Sequence, residues 1–435
     1  MERETLNILI LSDFAFPYGT GAASRVYGYA RGLLGAGARV KVLCVEPSWN
    51  TSSTLNTAPS VVYRGIEFDY TGGYWSKPRS RLGRGIVRLL KWPRFALAVN
   101  SWAVEVGGVD AMIVYSRKLP WIAAARLLCS TTGAVLLHED CELKFRFSAD
   151  TMRTRLKRFA YERLSFAAYD GCLAISIYLE EYCSRHLRHG IEALLVPILV
   201  NVADFGPNGV EVEVGNRVTF CGGLDQPEAL NVLKTFAQAV DGPHDDMSDL
   251  RLQLVGTAVR KESLERLRSV AGGLGITERV DFVGQVAREE LVELLNSSRV
   301  LVLPRPAGAF SKAGLATKLG EYLASGRPTV VTANGDVGLY LHDGVDAYLT
   351  PPDDLDAFAR RLRYVLEHPQ EADEVGLRGR QAAQTHFDPV VHGRRIIDYV
   401  RELQAVKAAR RARRAGRGRS TRAATDVGAS TKDRT

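Results

Sequence analysis

Residues 299–332, RVLVLPRPAGAFSKAGLATKLGEYLASGRPTVVT, leave little freedom for the fold. The segment reads as strand, loop, helix, strand. Val300 to Leu303 is a short run of Val and Leu, the pattern of a strand buried on both faces. Pro304 and Pro306 end it, and the loop from Pro304 to Gly314 carries Arg305, Gly308, Lys312 and Gly314. Leu315 to Ser325 has helical periodicity, closed by Gly326 and Pro328 as stop signals. Pro328 to Thr332 is then the next parallel strand.

The helix has two faces. At about 100° per residue, Leu315, Ala316, Leu319, Tyr322 and Leu323 share the side expected to lie on a sheet. Lys318, Glu321 and Ser325 share the other. A loop that ends in glycine and opens a helix presents free N–H groups and the positive end of the helix dipole, a site suited to phosphate. Lys318 adds charge in the first turn, and Glu321, one turn deeper, can accept hydrogen bonds from the two hydroxyls of a ribose. The plainer alternative is a solvated Lys–Glu pair worth about 0.2–0.5 kcal/mol. The loop cations Arg305 and Lys312, placed where a strand ends, weigh toward a nucleotide site.

The stretch SKAGLATKLGEYLASGRPTVVT resembles the donor-binding signature of family 4 retaining glycosyltransferases, in the branch written G-x-PTKL-x-EYLA-x-G-x-P-VVVT. The resemblance implies an α/β chain of GT-B architecture: two doubly wound parallel-sheet (Rossmann-like) domains facing across a cleft. It implies that Glu321 holds the ribose of a nucleotide-sugar, with Gly314, Lys318, Arg305 and Lys312 around the diphosphate. Two departures stand out. Gly223 and Glu228 occupy the positions where the family's F-x-GRL-xxx-K element has a diphosphate-clamping Arg and Lys. Ala313, eight residues before Glu321, replaces the first Glu of the common Glu-x7-Glu pattern.

A chain of 435 residues is expected to hold two domains. We expect an acceptor-side domain over 1–207, a donor domain over 208–388, and a helix over 389–406 packing back on the first domain. Beyond it lies a basic tail, 407–435. That tail holds ten Lys/Arg against two Asp, which equals the net charge of +8 and leaves the rest neutral. Its lack of large apolar side chains predicts disorder beyond a helical start. Contact with an anionic membrane, non-specific contact with nucleic acid and a merely solubilising role all fit it. Six cysteines without metal spacing read as buried free thiols. The first strand follows MERET directly, so no secretory leader is expected. No run of 18 apolar residues exists to span a membrane. The expected location is cytoplasmic, with peripheral attachment to the inner face of the cell membrane as an option.

Along the first domain, Asn7 to Ser12 is the first strand, and the loop DFAFPYGTG leads into a helix from about Ala22. Gly19 and Gly21 belong to a cleft loop by resemblance, or simply to a tight turn; the loop is not a G-x-G-x-x-G fingerprint. Arg25 either points at phosphate or covers the surface. Val61 to Tyr70 has strand character. The basic, aromatic segment TGGYWSKPRSRLGRGIVRLLKWPRF suits either a membrane interface or an ordinary helix after a loop. AVLL, 134–137, is a buried strand that delivers His138, Glu139, Asp140 and Glu142 to the end that opens on the crevice in parallel sheets. By resemblance His138 stands beside the donor sugar, a structural histidine being the alternative; Glu139, Asp140 and Glu142 are placed to position an acceptor hydroxyl, with Glu139 the candidate catalytic carboxylate. Pro207, Asn208 and Gly209 form the expected hinge.

These readings converge on a retaining, metal-independent glycosyltransferase of the hexosyl type. The expected donor is a UDP- or GDP-sugar, with no cofactor and no specific nucleic acid. By resemblance the acceptor is a glycan, a lipid-linked saccharide or another cell-envelope or polysaccharide precursor. Cations and a helix N-terminus stabilise the departing diphosphate, whose oxygen takes the proton of an acceptor arriving on the same face. No glycosidase-like carboxylate pair stands out. Two other classes remain: a catalytically weakened nucleotide-sugar-binding protein, and a GT-B epimerase or hydrolase.

Overall fold

The computed structural model describes residues 5–17, 21–46, 60–72, 80–141, 151–188, 190–206, 213–242 and 247–429. The expected hinge residues Pro207 to Gly209, and Gly19 and Glu142, lie outside them.

Apolar runs buried on both faces become parallel strands, because only helices on either side can cover them. The first sheet contains β1 (Asn7–Ser12), β2 (Arg39–Cys44), β3 (Ser60–Tyr63), β4 (Ile66–Tyr70), β5 (Ala111–Tyr115), β6 (Val135–Asp140), β7 (Gly171–Ala174) and β8 (Leu194–Leu195). Their order is β3-β4-β2-β1-β5-β6-β7-β8. All neighbours are parallel except β3 and β4, which form a hairpin turning at Arg64–Gly65. The single stretch expected over 61–70 is thus two short strands, since Arg64 and Gly65 both take positive φ and reverse the chain.

The second sheet contains β9 (Arg217–Cys221), β10 (Arg251–Val255), β11 (Val280–Gly284), β12 (Val300–Leu303), β13 (Thr329–Thr332) and β14 (Tyr348–Thr350), in the order β11-β10-β9-β12-β13-β14, all parallel.

Helices in the first lobe are α1 (Gly21–Gly35), α2 (Arg81–Val106), α3 (Leu119–Thr132), α4 (Met152–Ala168) and α5 (Ile177–His186). In the second they are α6 (Pro227–Ala239), α7 (Lys261–Gly273), α8 (Arg288–Asn296), α9 (Ala309–Ala313), α10 (Thr317–Ser325), α11 (Val337–Tyr340), α12 (Leu355–Glu367) and α13 (Pro369–His386). The final helix, α14 (Pro389–Ala429), returns to the first lobe. It continues well past residue 407, into the stretch whose composition predicted disorder. Each lobe has its own apolar core; Ile396, Val400 and Leu403 of α14 sit in the first.

Helices α1 and α14 meet through glycines. A Cβ on Gly32 would strike the Pro389 backbone, and one on Gly393 the Gly32 carbonyl. The chain therefore crosses between lobes at two adjacent places. The crossings are tied where the Val200 N–H donates to the Phe387 carbonyl, 3.0 Å.

Candidate functional site

The segment between β12 and β13 folds largely as its pattern requires, with one addition. The loop after Leu303 contains the single-turn α9, and α10 begins at Thr317 rather than Leu315. Leu315, Leu319, Tyr322 and Leu323 are buried as expected. No side chain caps the N-terminus of α10, so its first-turn N–H groups and dipole remain available to an anion. This end faces the other lobe. A side chain at Gly21 would come within 3.8 Å of the Thr317 hydroxyl, and a Cβ at Gly314 within 3.4 Å of the Cys141 carbonyl at the end of β6. Gly21, Gly314 and the α10 N-terminus thus lie along one interlobe seam.

Glu321 is 8% exposed and lines an interlobe pocket of about 120 Å³. Its Oε1 pairs with the Arg288 guanidinium at the start of α8. Burial opposes the Arg288 charge, but Glu321 together with Asp204 and Tyr27 outweighs it and the pKa rises. The pocket is also lined by Tyr27, Tyr63 and Arg64 of the first lobe, by Asp204 at the crossing, and by Gln285 and Val286 after β11. Arg64 spans the lobes, 3.6 Å from Asp204 and 2.9 Å from Glu289.

Lys318 is half-buried, its ammonium 4.5 Å from the centroid of the Phe220 ring. Gly222 leaves the space, since a Cβ there would collide with the Lys318 amine. Burial pushes the Lys318 pKa down, opposed first by Glu228. Arg305 is buried, its Nη1 donating to the Gly314 carbonyl at 2.6 Å and its Nε 3.7 Å from Glu228. It braces the loop as well as charging it. Lys312 is exposed. Where the family pattern has a cation, Glu228 instead sits beside two cations from other segments. Its Oε2 is buried without a hydrogen-bond partner.

At the end of β6, consecutive residues point to opposite faces, and this separates the two expected catalytic groups. Glu139 turns to α1. Its Oε1 accepts from Arg25 Nε at 2.9 Å and from the Tyr29 hydroxyl at 3.3 Å. Arg25 also donates to the carbonyls of Val196 and Pro197. Arg25 therefore neither reaches for phosphate nor covers the surface; it anchors the strand end to the crossing. Burial raises the Glu139 pKa against the pull of Arg25. His138 turns to α4, stacked on Tyr169 at 4.6 Å, edge-on to Phe166, and 3.9 Å from Asp140. At 1% and 2% exposure, His138 and Glu139 are both buried. The reason is packing: each fills a helix–sheet layer.

Sequence reading missed Arg288, Tyr27, Arg64 and Asp204. A local signal existed for Arg288 alone, the first helical residue in the strand-to-helix stretch VGQVAREEL, 283–291; the others meet it only in the folded chain.

Residues 215–368 match the family model described as Glycosyl transferases group 1. The chain is 30% identical over 194 residues to "MMP alpha-(1->4)-mannosyltransferase" of Mycolicibacterium hassiacum, covering 44% of each chain. It is 27% identical over 182 residues to "D-inositol 3-phosphate glycosyltransferase" of Acidothermus cellulolyticus, covering 41% of this chain and 40% of the relative. The matches thus span under half of these relatives. Among solved structures, sucrose-phosphate synthase from Thermosynechococcus elongatus superposes with a TM-score of 0.66 at 20% identity, over 92% of this chain and all of the other. The Anabaena protein Alr3699/HepE, in complex with UDP and glucose, gives 0.65 at 15% identity over 91% and 100%. The fold is GT-B. In GT-B terms, the group 1 match covers the lobe that carries α10, Glu321 and Lys318.

Proposed function

We propose that the chain is a retaining glycosyltransferase that binds a nucleotide-sugar in its second lobe and transfers the sugar to a glycan or lipid-linked acceptor in the cleft. The observation that carries this is the position of Glu321. It lines the interlobe pocket one turn below an uncapped helix N-terminus, with Lys318 between. Glu321 accepts from the ribose hydroxyls and Arg288 fixes the carboxylate. The α10 N-terminus, Lys318 and Arg305 meet the diphosphate. As the sugar–phosphate bond breaks, charge grows on the leaving oxygen, and these fixed cations and N–H groups favour that state over the ground state. Charge is supplied by the protein, so chelation of divalent metal leaves turnover unchanged. The acceptor hydroxyl arrives on the face the diphosphate leaves and passes its proton to the departing oxygen. Glu139 acts through Arg25 by holding the end of β6, not by touching substrate.

The relatives' names support sugar transfer, and the Anabaena protein's complex with UDP and glucose supports a nucleotide-linked donor. Branch, donor and acceptor remain part of this proposal, as does a cytoplasmic site of action. Among the described residues, no helix is long and apolar enough to cross a membrane. The test is calorimetric binding of UDP, GDP and ADP, followed by nucleotide release from the matching sugars. Failure to bind any nucleoside diphosphate overturns the reading. One observation favours a weakened, binding-only protein: Glu228 sits where the diphosphate clamp needs positive charge. Binding without release, with acceptor present, selects that alternative.

A further inference from the structure

Helix α4 has an outward face of apolar and basic side chains; in the same lobe α2 exposes a second apolar stripe, Leu82, Ile86 and Leu89. Thr151 caps α4, its hydroxyl accepting from the Thr154 N–H at 3.2 Å. Met152, Leu156 and Phe159 are 80%, 66% and 59% exposed. At 100° per residue they fall within about 60° of one another, a single stripe. Arg153 and Arg155 flank it on either side, Arg163 continues it, and all three are exposed. The helix contains one acidic residue, Glu162, which turns inward to accept from the Tyr182 hydroxyl and lies 4.0 Å from His186. Among the described residues, the outward face therefore carries apolar groups and cations without a compensating anion.

The geometry points to α4 as a docking element for an anionic lipid surface. An interfacial helix has this composition: apolar side chains enter the acyl boundary while arginines on both flanks reach the headgroup phosphates. A second copy of this chain is a poor occupant, because a self-contact would set arginine against arginine. Position fits as well. Strand β6 ends at the cleft, and α4 starts its return from that end of the sheet, so a bilayer touching Met152 to Phe159 lies beside the cleft mouth. The surface differs from the two basic segments, 71–95 and the terminal one, for which sequence reading offered membrane contact. The claim concerns binding alone and stands or falls independently of sugar transfer.

The test is co-sedimentation of the full chain with phosphatidylcholine vesicles and with vesicles containing about 30% phosphatidylglycerol. Binding to the anionic vesicles only is expected, weakening at about 0.5 M salt. Leu156→Glu with Phe159→Glu, and separately Arg153→Gln with Arg155→Gln, each lower the partition by roughly ten-fold or more. Substitution of Arg410, Arg411 and Arg413 by Gln changes it less than about three-fold. Because the α4 side chains are exposed, the thermal midpoint and nucleotide binding stay unchanged in the same samples. The proposal is overturned if vesicles bind equally with and without anionic lipid, or if binding is abolished only by the Arg410 set or only by Leu82→Glu with Leu89→Glu on α2. It also fails if the Leu156/Phe159 variant changes the sedimentation of lipid-free protein, which would assign the face to a protein contact.

Discussion

Glu321 and Lys318 touch different parts of the proposed ligand, and substitutions should separate them. Glu321→Gln keeps the shape but weakens two charge-assisted hydrogen bonds, so affinity falls by about 1.5–3 kcal/mol, roughly ten- to a hundred-fold. Calorimetry should show equal losses for nucleoside monophosphate and diphosphate, because both carry the ribose. Lys318→Met should weaken the diphosphate more than the monophosphate. Lys318 also predicts opposite responses to pH. Its pKa in the folded protein is lowered by burial, against the opposing pull of Glu228, so between that value and the usual lysine range the unfolded chain holds more protons. Stability contributed by this group therefore rises with pH through the window. A bound diphosphate draws the proton back, so nucleotide affinity falls as pH rises through the same window. A flat affinity profile would remove Lys318 from the phosphate site, and Lys318→Met should itself be flat. At Glu139, replacement by Ala leaves Arg25 buried without its carboxylate and should cost about 3–5 kcal/mol by chemical denaturation. A variant that unfolds normally yet loses transfer would instead make Glu139 a catalytic residue.

Among the elements, the α1–α14 contact is the tightest constraint, because it places backbone against backbone at Gly32 and Gly393. Gly393→Ala should destabilise by about 1–3 kcal/mol through overpacking, while the folded fraction binds nucleotide normally. A neutral effect would mean the helices can part without cost. The strand framework was legible because runs such as Ile8–Leu11, Met112–Val114 and Val300–Leu303 are buried on both faces and so are apolar throughout. Helix α10 was legible because its stop signals and two faces are local. The β3–β4 turn, the α9 turn and the continuation of α14 were not, since each departs from what local composition favours. The pocket around Glu321 was half legible. The glutamate sits in a patterned helix, whereas Tyr27, Arg64, Asp204 and Arg288 arrive from four separated segments with no shared spacing. At His138 and Glu139 a strand end at the crevice was readable, but the helix against which each side chain packs was not.

Across the whole molecule, Arg64 is the first-lobe cation that reaches Glu289 over the pocket. The pair is exposed and is worth about 0.2–1 kcal/mol. Arg64→Ala should speed nucleotide release by up to about five-fold, measured by stopped flow, with little effect on the thermal midpoint. No change in release would mean that the contact does not gate the pocket. The two crossings lie side by side and are bonded to each other at Val200 and Phe387. Two parallel tethers at one edge resist twisting and sliding alike, as a door on paired pins does. What remains soft is a swing about that edge, whose travel grows with distance from the tethers; an inhibitor that wedges the far rim would therefore stall the machine with less force than one placed near its axis.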